Sequence, residues 1–352
     1  MQPSSDPTST RDVPVGWRTR AAPVVGRALA WLGPDFALLI VFLGILVGLI
    51  LAYGASLVWN DGSIYISLAI GGGLLGVRFF YRWRSILVGA PDARAEYLRS
   101  ARLILRDWGP LILILFAFES LRSYTGIIRP TSIDDALYAL DLRVFGAEPS
   151  VWMGRFAHPA LTEWFTLAYG CYFILPMTLA TALTVRGRRD EFRELATVVL
   201  LQLSIGFLLF LVFPAGPPRY YQPLQGGGFD PAQLHSYSGL YELSTTALDA
   251  ANPLTTRSSF PSLHCSLALV TLIYARRFGA AVFSRRPGLF FWLCLPLVVS
   301  LWLSTIYLRH HWVPDCVAGL ALGTACAAIT PWLMRRWPAA RGARGTATSL
   351  RW

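Results

Sequence analysis

Phe260-Pro261-Ser262-Leu263-His264 and Thr305-Ile306-Tyr307-Leu308-Arg309-His310-His311-Trp312-Val313-Pro314-Asp315 hold the residue types with which this chain could do chemistry. His311 and Asp315 are i, i+4, so in a helix that starts here their side chains share a face. The carboxylate can then accept from one ring nitrogen and leave the other free as a nucleophile. His264, 47 positions earlier, is a second imidazole, able to protonate a leaving oxygen and later to deprotonate an acceptor. Both roles suit a side chain that titrates near neutrality. Pro261 and Ser262 fit a helix opening, where free backbone N–H groups and the positive dipole end favour a phosphate. Together these types spell phosphoryl transfer through histidine. That chemistry calls for no cofactor and no metal, since no carboxylate or His/Cys cluster has the ligand count of a zinc or two-metal site. Each segment alone has an ordinary structural meaning, a helix cap or a surface ion pair. Their joint occurrence, in this order and at one membrane face, points to a site.

The elements that must position them are membrane helices. Of 352 residues 54% are hydrophobic and only 14% charged, the composition of a polytopic membrane protein. Apolar stretches of about 20 residues, the length a span needs, run over 36–57, 62–80, 108–125, 160–185, 195–213, 262–275, 288–306 and 313–334. The expectation is an all-α, polytopic membrane helix bundle of about eight transmembrane helices. The net charge of +11 comes from arginine alone, the chain having no lysine. The arginines cluster at Arg11 to Arg27, Arg78 to Arg106, Arg186 to Arg193, Arg276 to Arg286, and from Arg335 onward. In an eight-span arrangement all five clusters fall on one side, which the positive-inside rule makes cytoplasmic, with both termini there. The basicity is then topological, and nucleic acid is not an expected partner. His264 and His311 fall on the exoplasmic side.

Residues 1–33 are polar and Pro/Ser/Thr/Arg-rich, a disordered cytoplasmic tail in this expectation, and 335–352 form a second, basic one. Residues 34–107 supply two additional transmembrane helices and a basic cytoplasmic loop, 81–107, that could lie along the inner leaflet. The remaining spans and both histidine segments fall in 108–334, the stretch covered by the family resemblance given below, which implies that it is the catalytic core. Within it Ile133, Leu137, Leu140 and Val144 recur at helical spacing, which suits an amphipathic helix on the outer surface. Residues 214–260 are long enough for a lid. The five cysteines form no Cys-x-x-Cys and read as small buried residues.

The pairing of the two histidine segments resembles the phosphatidic-acid-phosphatase type 2 superfamily. There, Pro-Ser-x-His and His-x-x-x-Asp on neighbouring helices transfer phosphoryl groups through a phosphohistidine. The resemblance implies a six-helix core, with His311 as nucleophile, His264 as general acid and base, and Asp315 as the orienting carboxylate. It also implies cationic residues around phosphate, and the candidates for substrate contact are Arg219, Tyr220, Ser262, Arg122, Arg129 and Arg309. Arg219 lies where the superfamily's first motif normally falls, although the local order is Pro-Pro-Arg without a lysine. Arg122 and Arg129-Pro130 reproduce that motif's spacing two spans earlier. Arg122 could instead pair with Glu119, and Arg309 could snorkel to headgroups. Leu263 in place of the usual Gly, Thr305 in place of an arginine, Tyr307-Leu308, His310-His311 and the Pro-Pro-x-Tyr of Pro217 to Tyr220 look like the inositol-phosphorylceramide synthase branch.

That resemblance implies a plasma-membrane phosphotransferase, multi-pass, with its site on the exoplasmic face. A phospholipid or lipid phosphate would be the donor, and a lipid or polyol alcohol the acceptor. Water in the acceptor position would make it a lipid or isoprenyl phosphate phosphatase, and a non-catalytic lipid-binding membrane protein is the competing class.

Overall fold

The computed structural model describes residues 18–54, 92–122, 124–221, 239 and 257–337, with isolated positions between 68 and 89. Among the described residues there are helices and no strand. Among them, five helices are long and apolar enough to cross a membrane, and a bent helix pair makes a sixth candidate. The protein is a multi-pass membrane helix bundle.

Helix α1 (Arg18–Tyr53) is interrupted at Gly33, whose φ of 78° lies in the left-handed region. It therefore reaches into the segment read from sequence as a disordered tail, because Ala, Leu and Arg there are good helix formers. Residues 1–17 and most of the expected span 62–80 lie outside the described residues. Helix α2 (Ala93–Arg122) also corrects an expectation. Residues 93–107, taken as part of an interfacial loop, continue the 108–122 segment as one helix, since Ser100, Ile104 and Asp107 are buried against the bundle.

Short helices α3 (Thr125–Ile128), α4 (Asp134–Phe145) and α5 (Pro149–Met153), then a 3-10 turn over Gly154–Phe156, cover one end of the bundle. Next come α6 (Pro159–Gly170) and α7 (Ile174–Val185), bent by 50° across a short break. The sequence had these as one span, 160–185. Helix α8 (Arg189–Val212), the short α9 (Pro218–Tyr221), α10 (Leu263–Val282), α11 (Leu289–Tyr307) and α12 (Val313–Arg336) complete the bundle.

The two ends differ in chemistry. At the start of α8, Arg189 and Arg193 meet Arg106 and the fully buried carboxylates of Asp107 and Asp35. This network ties α1 and α2 to the core. At the other end α4, the 214–221 segment and the first turn of α12 interlock. Gly216 N–H donates to Asp134 Oδ1 at 2.8 Å, Trp312 Nε1–H donates to the Gly216 carbonyl at 3.1 Å, and Leu137, Ala215 and Trp312 form a small apolar core beneath. An amphipathic helix was expected here, but its packed face is Leu137 and Asp141, while Leu140 and Val144 are exposed.

Candidate active site

Three helix termini converge beneath this cap. Ser262 is the N-cap of α10, its hydroxyl accepting from the Cys265 N–H at 3.3 Å, which stabilises the first turn. Its own N–H donates to the Asp315 carbonyl at 2.9 Å, so the openings of α10 and α12 are bonded to each other. Leu263 fills the notch left by Gly206 on α8, where an added Cβ would lie 2.5 Å from a Leu263 methyl. This is what the Leu in Pro-Ser-Leu-His packs against.

The approach to α12 is a tight reversal. The Thr305 carbonyl accepts the N–H groups of both His310 and His311, at 3.0 and 3.1 Å. Arg309 takes the left-handed φ of 58° between them. Thr305 therefore shapes the turn, its hydroxyl bonded to the Trp302 carbonyl at 2.7 Å. The turn delivers His311 with its Nδ1 3.4 Å from Asp315 Oδ2. The same carboxylate oxygen accepts the Trp312 N–H at 3.1 Å. The opposite ring nitrogen, Nε2, lies 3.2 Å from Nδ1 of His264. Asp315 thus lies on the Nδ1 side of the ring, and Nε2 faces His264.

Around this pair the polar residues take distinct places. His310 is buried and stacked on Tyr169. Burial, and then the positive charge of Arg219, push its imidazole well below the ordinary histidine range, so it is neutral at pH 7. Arg219 donates its backbone N–H to the Arg309 carbonyl at 3.2 Å. Its guanidinium sits 4.6 Å over the Tyr220 ring and donates to the Tyr220 hydroxyl. Arg219 and Tyr220 are thus brought to the histidine end. Arg309 is buried rather than extended to headgroups. Its guanidinium reaches the α5 region, near Gly154, and its charge opposes the burial that raises the Glu148 carboxyl. Arg129 donates to the Val212 carbonyl at the end of α8, a helix-terminating contact and not one to the histidines. The side chain of Arg122 lies outside the described residues. Among the described residues no group of three or more His, Cys, Asp or Glu side chains is arranged to hold a metal.

Two features had no part in the sequence expectations. Tyr169 and Tyr172, at the α6–α7 break, pack on His264. Asp141, buried in α4, accepts the Val313 N–H at 3.4 Å in the first turn of α12. Gly170 before the break and Pro176 after it were the signals available for the first, and the i, i+4 partnership with Leu137 for the second.

A bundle of membrane-length helices with His264, His311 and Asp315 gathered at one end defines an integral membrane protein with a paired-histidine cluster. Residues 135–329, more than half of the chain, match the family described as the PAP2 superfamily, and the chain belongs to it. It is similar to the phosphoinositol dihydroceramide synthase of Bacteroides thetaiotaomicron, at 25% identity over 50% of this chain and 56% of that relative. Inositol phosphorylceramide synthases are similar too. The catalytic subunit from Saccharomyces cerevisiae is 27% identical over 55% of this chain and 48% of its own length, and the Candida albicans protein is 27% identical over 44% and 33%. The chain thus spans about half or less of the length of the curated relatives it matches. No solved structure matches the chain.

Proposed function

We propose that this protein is a lipid phosphotransferase that works through a phosphohistidine at His311, on the exoplasmic face of the membrane. The observation that carries this is the single line of contacts from Asp315 Oδ2 to His311 Nδ1 and from His311 Nε2 to His264 Nδ1, at 3.4 and 3.2 Å. His311 Nε2 attacks phosphorus of a phospholipid headgroup as the bond to the lipid oxygen breaks, and His264, as imidazolium, protonates that oxygen. Now neutral, His264 takes the proton of an acceptor hydroxyl whose oxygen attacks phosphorus, and the P–N bond breaks. Asp315 holds the imidazole and balances its developing positive charge. Arg219 and Ser262 at the α10 and α12 openings favour the phosphate's negative oxygens. Activity proceeds without a divalent metal.

The named activities of the relatives support a phosphoinositol donor and an alcohol acceptor for the same site, while water in that position would give a phosphatase. The arginines gathered at the end opposite the histidines support an outward-facing site.

The test is incubation of the purified protein with a panel of phospholipids and isoprenyl phosphates, with and without alcohol acceptors. New phosphodiester exceeding free phosphate is the expected outcome, and phosphate alone with every acceptor would make it a phosphatase. Cysteine placed at Gly227 should be labelled by an impermeant reagent from outside; labelling only from the cytoplasm overturns the orientation.

A further inference from the structure

The break between α6 and α7 does more than bend a span. It presents the ring of Tyr169 between two imidazoles, stacked on His264 at 4.1 Å and 21° and on His310 at 4.3 Å and 24°. Tyr172, three residues on, covers His264 at 4.0 Å and 42°. The Tyr169 hydroxyl lies 3.5 Å from His264 Nδ1, the nitrogen that faces His311. Imidazole χ2 is a broad torsion with no sharp minimum of its own, so the plane of His264 is set by what it stacks on. Aromatic stacking of this kind adds an orientation-dependent attraction beyond burial. It favours one ring orientation over its neighbours.

We propose that Tyr169 is a positioning residue for proton transfer, clamping the His264 ring so that its nitrogen points at the oxygen leaving phosphorus. The inference rests on the assignment of His264 as general acid made above. His310 forms the back of the clamp. Held neutral by its burial and by Arg219, it supports the Tyr169 ring without offering a competing proton.

A mis-aimed acid has a signature that a merely loosened fold lacks. Departure of an alkoxide from phosphorus needs a proton, while p-nitrophenolate leaves without one. The experiment compares the first, phosphoenzyme-forming turnover of the purified full chain, read as the burst of released alcohol or p-nitrophenolate, on short-chain phosphatidic acid and on p-nitrophenyl phosphate, for Tyr169→Leu, Tyr169→Phe and His264→Ala, because the second step needs His264 as base with either substrate. The expected result is that Tyr169→Leu loses about tenfold or more in the burst rate on phosphatidic acid, with the concentration for half-maximal rate little changed and the p-nitrophenolate burst largely retained. His264→Ala should show the same selectivity more strongly. Tyr169→Phe, which keeps the stack and lacks the hydroxyl, should rescue most of the loss. Tyr169→Met serves the same arm if the leucine variant does not fold.

Leaving-group dependence in His264→Ala but equal loss on both substrates in Tyr169→Leu overturns the clamp alone. No such dependence in His264→Ala overturns the acid assignment and the clamp with it.

Discussion

Ser262 and Asp315, one from each histidine segment, are joined backbone to backbone, the Ser262 N–H donating to the Asp315 carbonyl at 2.9 Å. The bond fixes the two helix openings in register. It is possible because Gly319, one turn further along α12, has no side chain: a Cβ there would lie 2.1 Å from the Ser262 carbonyl oxygen, and one at Gly323 would lie 2.8 Å from that of Ser266. The pair is a small-xxx-small stripe, which lets membrane helices approach closely.

Gly319→Ala should therefore separate α10 from α12. Overpacking of this kind costs about 1–3 kcal/mol, and we expect a lowered Tm together with a loss of turnover larger than the loss of stability alone would give. Gly109→Ala, where a Cβ meets nothing within 4 Å, is the matched control. Native turnover and Tm in Gly319→Ala would show that the close approach has no bearing on the site.

His311→Ala and His264→Ala should each abolish lipid turnover in a folded protein, since nucleophile and acid are separate necessities. They part on trapping: with radiolabelled p-nitrophenyl phosphate, whose leaving group needs no proton, His264→Ala still forms an acid-labile phosphoenzyme and His311→Ala forms none. A covalent phosphoenzyme in His311→Ala would move the nucleophile elsewhere. Asp315→Asn should be milder, as the attacking nitrogen remains and only its orientation and charge balance are disturbed.

The histidine pair and its carboxylate were legible because each rests on local spacing, a cap before His264 and an i, i+4 step from His311 to Asp315. What the sequence hid follows from the solvent. In a membrane, lipid is as apolar as the core, so hydrophobic periodicity does not mark the packed face. Leu140 and Val144 drew the expected face of α4, yet they are exposed, and the buried position is Asp141. Residues 160–185 are apolar throughout, so the bend that brings Tyr169 to His264 had only Gly170 and Pro176 to announce it, and an aromatic near a span end reads equally as part of an interfacial belt.

Turnover should survive extended treatment with EDTA. In the proposed mechanism the charge of the transferring group is met by Arg219, by backbone N–H groups and by the imidazoles, so chelation removes no participant. Loss on chelation with recovery on adding one divalent ion would require a metal step instead.

Asp141 gives a pH dependence of stability with a definite sign. Burial, with help from Asp315 and Glu148 and against the Val313 N–H, raises its carboxyl from 3.8 to about 6. The folded state then holds this proton more tightly than the unfolded one, so its contribution is fully present below pH 3.8 and is lost as pH rises through about 6. Asp141→Asn, which cannot ionise, should match the wild type below pH 3.8 and exceed its Tm by about 2–4 °C at pH 7.5. A Tm difference that stays constant across this range would mean that Asp141 does not titrate there.

Arg219 tests whether a guanidinium or merely a positive charge is needed beside the histidines. Its backbone bond to Arg309 and its stacking on Tyr220 fix where the side chain begins and which plane it lies in. Its field already reaches His310, next to His311 in the chain. A fixed fork can offer two parallel donors to the non-bridging oxygens of a phosphoryl group, while an ammonium offers a point charge and no planar stack. Arg219→Lys should accordingly lower kcat/KM by about tenfold or more, a loss of at least 1.4 kcal/mol in transition-state stabilisation. Arg219→Ala should lose more. If the lysine variant works as well as the wild type while the alanine variant fails, charge alone is required; if both work, Arg219 serves the turn around Arg309, and the phosphate is held by other groups.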